Sequence, residues 1–285
     1  MTSDSSKAGK SWTSVWLLGL TGVLFLLLAG YGFAANKDPN EGTTWGKKRV
    51  FQQPSISIII DDIGNLRNRD RRAIELPGAI TYAFLPHTPH ARELATLAHN
   101  LDKEVMLHLP MESMNHNKLG PGGLTLKMNR RQLADQLAAD LQSVPYVAGI
   151  NNHMGSLLTQ HPGHMTWLMQ ELDKRDLYFV DSYTTLDSVV QQVANEHWIP
   201  NLRRDVFLDS DRDPAKIRMH FHRLLKKADE NGIAVGIGHP YPETIAVLEE
   251  ELPKLGDAEI QLLPVSKLLN RHLQRFQTWR AFLSR

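Results

Sequence analysis

From Pro54 onward the chain repeats one pattern: a short apolar run rich in β-branched residues, a longer amphipathic stretch, then another apolar run. Strands separated by helix-length segments lie parallel, because a crossover of that length returns the chain to the same end of a sheet. The runs are Ser55–Ile60, Ile80–Leu85, Glu104–Leu109, Val147–Ile150, Leu177–Val180, Asp205–Leu208, Ile233–Ile237 and Ile260–Leu263, which makes seven or eight units of a parallel α/β sheet or barrel. Helix punctuation agrees with this division. Asn129 followed by Gln132 has capping-box character, and Asp213-Pro214 sets a capping acid and a first-turn proline before a helix that Gly232 can end.

The first 53 residues are of another kind. From Val15 to Ala35 no charged residue occurs, and such a run at about 1.5 Å per helical residue crosses a hydrocarbon core of roughly 30 Å. It predicts an N-terminal transmembrane helix after a short cytoplasmic stub (1–35). The alternative is a cleaved signal peptide, since Lys7 and Lys10 precede the run and Ala34 and Ala35 end it. Residues 36–53 read as a polar tether, 54–270 as the folded domain, and 271–285 as a basic amphipathic tail. The expected location is a bacterial inner membrane, single-pass, with the domain in the periplasm; signal cleavage would instead release it there. The tail has Arg271, Arg275, Arg280 and Arg285 and no acid, and either packs on the barrel or lies on an anionic membrane surface.

Composition excludes several classes. With 42% hydrophobic and 22% charged residues and a net charge of +1, the chain has neither a disordered composition nor a case for nucleic acid. There is no cysteine, so any transition metal must be held by His, Asp and Glu.

In parallel α/β folds functional groups collect where strands end. Here polar and titratable residues follow the apolar runs directly. Asp61 and Asp62 follow ISIII, and two adjacent carboxylates there repel unless a cation or donors compensate them. His108 and Glu112 close the third run, and Asn151, Asn152, His153 and Ser156 crowd the end of the fourth. Asp181 and Ser182 follow the fifth, Arg203, Arg204, Asp205 and Asp209 surround the sixth, and His239 follows the seventh. His161, His164, His220 and His222 read as solvent-exposed, and His87 and His90 as substrate-side candidates at most.

The segments IIIDDIG, LHLPME, NNHMGS, FVDS, RRDVFLD and IGHP, in this order, resemble the divergent polysaccharide deacetylase family, a distant branch of the NodB-type carbohydrate esterases. The resemblance implies a distorted (β/α) barrel and metal-assisted deacetylation of an N-acetylated cell-envelope glycan. It implies Asp61 as general base, Asp62 and His108 as ligands of a divalent metal with zinc the expected ion, and His239 as general acid. The relatives place two histidines four residues apart where this chain has His108 and Glu112, so the third ligand is either His153, the preferred choice, or Glu112. Glu112, Asn152, Ser156, Asp181, Ser182 and Arg204 are expected to bind substrate or brace the site. The Arg-containing loop of the relatives is replaced by NNHMG, and no aromatic residue stands where one is expected near Asp181. A catalytically inactive glycan-binding or scaffold protein on the same barrel, and a metallohydrolase acting on amides other than those of sugars, remain the alternatives.

Overall fold

The computed structural model describes residues 53–115 and 117–283. The expectations for the anchor and most of the tether fall on 1–52, outside those residues. Among the described residues no helix is long and apolar enough to cross a membrane.

In chain order the domain runs β1 (Ser55–Ile63), α1 (Arg67–Ile74), β2 (Thr81–Phe84), α2 (Ala91–Asn100), β3 (Glu104–Met111), α3 (Arg130–Ser143), β4 (Val147–Met154), α4 (Pro162–Asp173), β5 (Tyr178–Asp181) and α5 (Val190–Glu196). It continues with β6 (Asn201–Arg203), β7 (Val206–Phe207), α6 (Pro214–Asn231), β8 (Ile233–Gly238), α7 (Pro242–Glu251), β9 (Gln261–Leu262) and α8 (Val265–Leu283). The strands pair in the order β6-β5-β4-β3-β2-β1-β8-β7, all parallel, and β9 pairs with the start of β1. The two ends of this path, β6 and β7, are joined by Arg204 and Asp205 alone. That short link sets β7 end to end with β6, so one stretch of chain pairs with β5 through its first half and with β8 through its second, and the sheet curls round as a half-barrel. Counted so, seven strands surround the interior, with β9 riding on β1.

β6 is absent from the sequence reading, because three residues with Asn and Arg at their ends have no apolar signature. β1, β3 and β4 also run further than the apolar runs suggest. Asp61 and Asp62 lie within β1, Pro110 and Met111 within β3, and Asn151 to His153 within β4, where parallel neighbours continue the ladder as far as Met111 and Met154. The predicted caps form: Asn129 and Gln132 make a reciprocal capping box on α3, Asp213 caps α6, and Gly232 ends α6 in the left-handed region.

Strand alternation divides the core into two layers. Ile56, Ile58 and Ile60 of β1 pack outward with the helices, alongside Ala73, Leu94 and Phe221. Ile59, Ala83, Met106, Val180, Val235 and Ile237 pack inside the barrel. Following the same alternation, Asp61, His108 and His239 are the next inward positions after Ile59, Met106 and Ile237. The lower end of the interior is filled by the first turns of α8, through Val265, Leu268 and Leu269. Glu104 accepts from the Ser266 backbone N–H and from the Tyr178 hydroxyl there, which anchors the start of that helix. The helix continues from Val265 to Leu283 without a break, so the tail expected from 271 is its second half.

Candidate functional site

Consecutive strand residues normally point to opposite faces, yet Asp61 and Asp62 meet the same histidine. Asp62 adopts φ 57°, and the β1–β2 register shifts between Ile60 and Ile63. This bulge turns the second carboxylate inward beside the first. His108 Nε2 lies 3.2 Å from Asp62 Oδ1 and 3.7 Å from Asp61 Oδ2. On β4, Asn151 and His153 share the inward face, being two residues apart. His153 Nδ1 stands 3.1 Å from Asp62 Oδ1 and 3.1 Å from His108 Nε2.

One carboxylate oxygen and two ring nitrogens therefore form a nearly equilateral triangle. Ligand atoms about 2.0–2.1 Å from a tetrahedral zinc ion stand about 3.3 Å apart, so the triangle has the size of one face of such a site. Asp62 Oδ1 is buried and makes no aligned hydrogen bond, an oxygen left without its proper partner. Asp62, His108 and His153 could thus hold a divalent ion, and among the described residues they are the one His/Asp/Glu group so arranged. Two imidazoles and a carboxylate suit zinc, and three protein donors leave a position open for a reactant. Glu112 stays outside the triangle: its Oε2 accepts from the Leu126 backbone N–H at 2.8 Å.

The surrounding hydrogen bonds orient these groups. Asn151 is the ladder partner of His108, and its Oδ1 accepts from His108 Nδ1 at 2.8 Å. Its Nδ2 donates across the interior to Asp61 Oδ1 at 2.7 Å. Asp209, at the end of the β7 stretch, accepts from the His239 backbone N–H at 2.6 Å, from His239 Nδ1 at 3.0 Å and from the Thr244 hydroxyl at 2.7 Å. His239 Nε2 is thereby aimed at the triangle, 3.8 Å from Asp62 Oδ2.

Electrostatics separate the two acids. Burial pushes the Asp61 carboxyl above its ordinary value, against the pull of His108, His239 and the Asn151 amide. Burial acts on Asp62 in the same direction, but the His108 and His153 rings overcome it and hold that carboxyl well below the usual range. His108 is pushed up to about 9: desolvation opposes its charge, and the two carboxylates more than offset that. Burial likewise opposes charge on His239, yet Asp209 raises it.

The remaining expected site residues brace the rim. Asn152 donates to the Met154 carbonyl at 2.7 Å and accepts from the Ser182 N–H at 2.9 Å. Asp181 accepts from the Tyr183 N–H and the Ser188 hydroxyl, and Ser156 Oγ accepts from the Met114 N–H. Arg204 donates to the Ser182 and Tyr183 carbonyls, while the Ser182 hydroxyl is buried without a partner. Asn151 and Asp209 were visible as strand-end polar residues but had no assigned role; the spacing of Asn151 from His153 was the available signal. One histidine reading changes. His164 is buried rather than exposed, with Nε2 at 3.1 Å from the Met128 carbonyl, because α4 packs that face inward. His87 pairs with buried Asp140 at 2.8 Å.

Comparison with known proteins gives the family and the fold. The sequence profile described as divergent polysaccharide deacetylase matches residues 58–269. The uncharacterized protein YibQ of Escherichia coli (strain K12) is 38% identical over 215 residues, covering 75% of this chain and 67% of that protein. An uncharacterized protein of Haemophilus influenzae (strain ATCC 51907 / DSM 11121 / KW20 / Rd) is 35% identical over 218 residues, covering 76% and 78%. The crystal structure of the uncharacterized protein ATU2773 from Agrobacterium tumefaciens C58 superposes with a TM-score of 0.74 at 23% identity, over 76% of this chain and 89% of that one, and shares the fold.

Proposed function

This chain belongs to the divergent polysaccharide deacetylase family, and from that premise we propose that it hydrolyses the acetamide carbon–nitrogen bond of an N-acetylated cell-envelope glycan with the help of a divalent metal, zinc by the chemistry of the donors. The observation that carries the reading is the triangle of Asp62 Oδ1, His108 Nε2 and His153 Nδ1, with edges of 3.1 and 3.2 Å around an oxygen that has no aligned hydrogen bond.

A divalent ion held there supplies Lewis acidity to the amide carbonyl and to water. The chain's own groups do the rest. Asp61 takes the proton of the attacking water; Asn151 occupies its Oδ1, so Oδ2 is the accepting oxygen. Burial raises its carboxyl above the ordinary value, which makes it a better proton acceptor than a solvated aspartate. His239 delivers a proton from Nε2 to the departing amine, since Asp209 holds its Nδ1. Asp61 takes one proton from water and His239 gives one to the departing amine. The carboxylic acid so formed passes its own proton to that amine, so water and amide become acetate and an ammonium group. The proposal places the domain in the periplasm, held to the inner membrane through residues 15–35; the charge-free run supports this, and membrane fractionation of the full chain tests it.

The deciding measurement is acetate release from N-acetylglucosamine oligomers by zinc-loaded protein, with and without a chelator. Release that stops on chelation and in Asp61→Asn is expected. Release that continues undiminished would sink the mechanism, and glycan binding with no acetate at any metal loading would leave a binding protein on the same barrel.

A further inference from the structure

A row of aromatic and guanidinium groups lies beside the site on the β7–β8 side. The Phe207 and Tyr241 rings flank His239 at 5.5 and 5.4 Å between centroids, Tyr241 within 29° of parallel. Arg204 lies 5.1 Å over Phe207, and Arg212 lies 4.0 Å over Tyr241. Arg204 is committed to the Ser182 and Tyr183 carbonyls. Arg212 is exposed, and among the described residues no carboxylate forms an ion pair with it; the adjacent Asp211 is taken by Lys216. Stacking uses the face of the guanidinium and leaves its edge, where the N–H fork lies, available. Such an edge matches a carboxylate or phosphate in a bidentate fashion. The interior of the mouth holds Asp61, Asp62 and Asp209, so an anionic group on a substrate needs a cation at the rim to approach.

We infer that Arg212, propped on Tyr241, forms an anion-reading subsite beside His239, for a carboxylate or phosphate substituent carried by the glycan next to the reacting acetamide. The inference rests on the deacetylase reading only for setting that acetamide at His239. Tyr241 touches both groups, so the distance between the anion and the scissile bond is governed by one rigid ring.

Binding of three probes to the zinc-loaded protein, followed by calorimetry, tests this without requiring turnover. The probes are an N-acetylglucosamine tetrasaccharide, the alternating tetrasaccharide in which every second sugar bears a lactyl carboxylate, and the 6-phosphorylated tetrasaccharide. The wild type is expected to prefer a charged probe over the neutral one, and Arg212→Gln to reduce that preference by about tenfold or more. Which charged probe is preferred identifies the anion. Arg131→Gln, which removes the same charge from an exposed pair on α3, is expected to keep the preference. The subsite is overturned by equal affinity for charged and neutral probes, by a preference that survives Arg212→Gln, by an equal loss in Arg131→Gln, or by binding of none of the probes. A preference erased by Arg212→Gln in a protein that releases no acetate would refute the hydrolase and leave the subsite standing.

Discussion

Asn151 Oδ1 accepts a hydrogen bond from His108 Nδ1 at 2.8 Å, and this contact decides which ring nitrogen meets the carboxylates. The amide's orientation follows from its other end, because Nδ2 must donate to Asp61 Oδ1. His108 therefore keeps its proton on Nδ1 whether or not Nε2 is protonated, and Nε2 is the atom that exchanges a proton for a metal.

Asn151→Leu removes both hydrogen bonds at nearly constant volume. Zinc affinity should fall by about 10- to 100-fold, and long-range proton–nitrogen NMR should show His108 losing its single Nδ1–H form. An unchanged tautomer in the variant would remove Asn151 from this role.

Metal binding should stabilise the folded chain measurably. At a free zinc concentration 100 times the dissociation constant, unfolding should cost about 2.7 kcal/mol more, read as a rise in melting temperature. Asp62→Ala should abolish the rise. An equal shift in both proteins would place the ion elsewhere.

Proton and metal compete for His108. In the metal-free protein its folded pKa of about 9 lies above the ordinary 6.5, so its contribution to stability is fully present below 6.5 and is lost as pH rises through about 9. Apparent zinc affinity should climb across the same window. Titrations from about pH 6 to about pH 10 that show flat affinity would contradict the pairing of His108 with the two aspartates.

Asp209→Asn weakens the hold on His239 while keeping an acceptor for its backbone N–H. We expect kcat on a deacetylase substrate to fall by more than about tenfold with little change in KM, since proton delivery to the amine matters only in the transition state. A rise in KM alone would make Asp209 a binding rather than a positioning residue.

Leu268 is fully buried where α8 fills the base of the barrel. Leu268→Ala should cost about 2–5 kcal/mol in urea unfolding. A loss near zero would show that the start of α8 is an appendage and not part of the core.

Much of this organisation was legible beforehand. The alternation after Pro54 identified every strand except β6, and the caps at Asn129, Asp213 and Gly232 formed as read. Asp61, Asp62, His108, His153 and His239 were singled out from strand ends, and the structure brings them together. Other features were beyond reach. His153 was preferred to Glu112 as the third donor, but Glu112 stayed open until the fold turned it toward Leu126. His164 looked like a loop histidine because its neighbours are Pro162 and Gly163, yet α4 buries it.

The amino-acid order by itself determined the local quantities: which stretches are apolar enough to be strands, where helices begin and end, and which polar residues stand at strand ends. These depend on neighbours a few positions away, where periodicity and capping act. Tertiary structure decided which of those residues meet. The bulge at Asp62, the register pairing His108 with Asn151, and the curl of the sheet that lets residues 201–207 pair with β5 and then with β8 arise from packing between strands distant in sequence. A carboxylate and two imidazoles become a metal-sized triangle only when that packing brings their atoms within about 3 Å, and no local pattern encodes that distance.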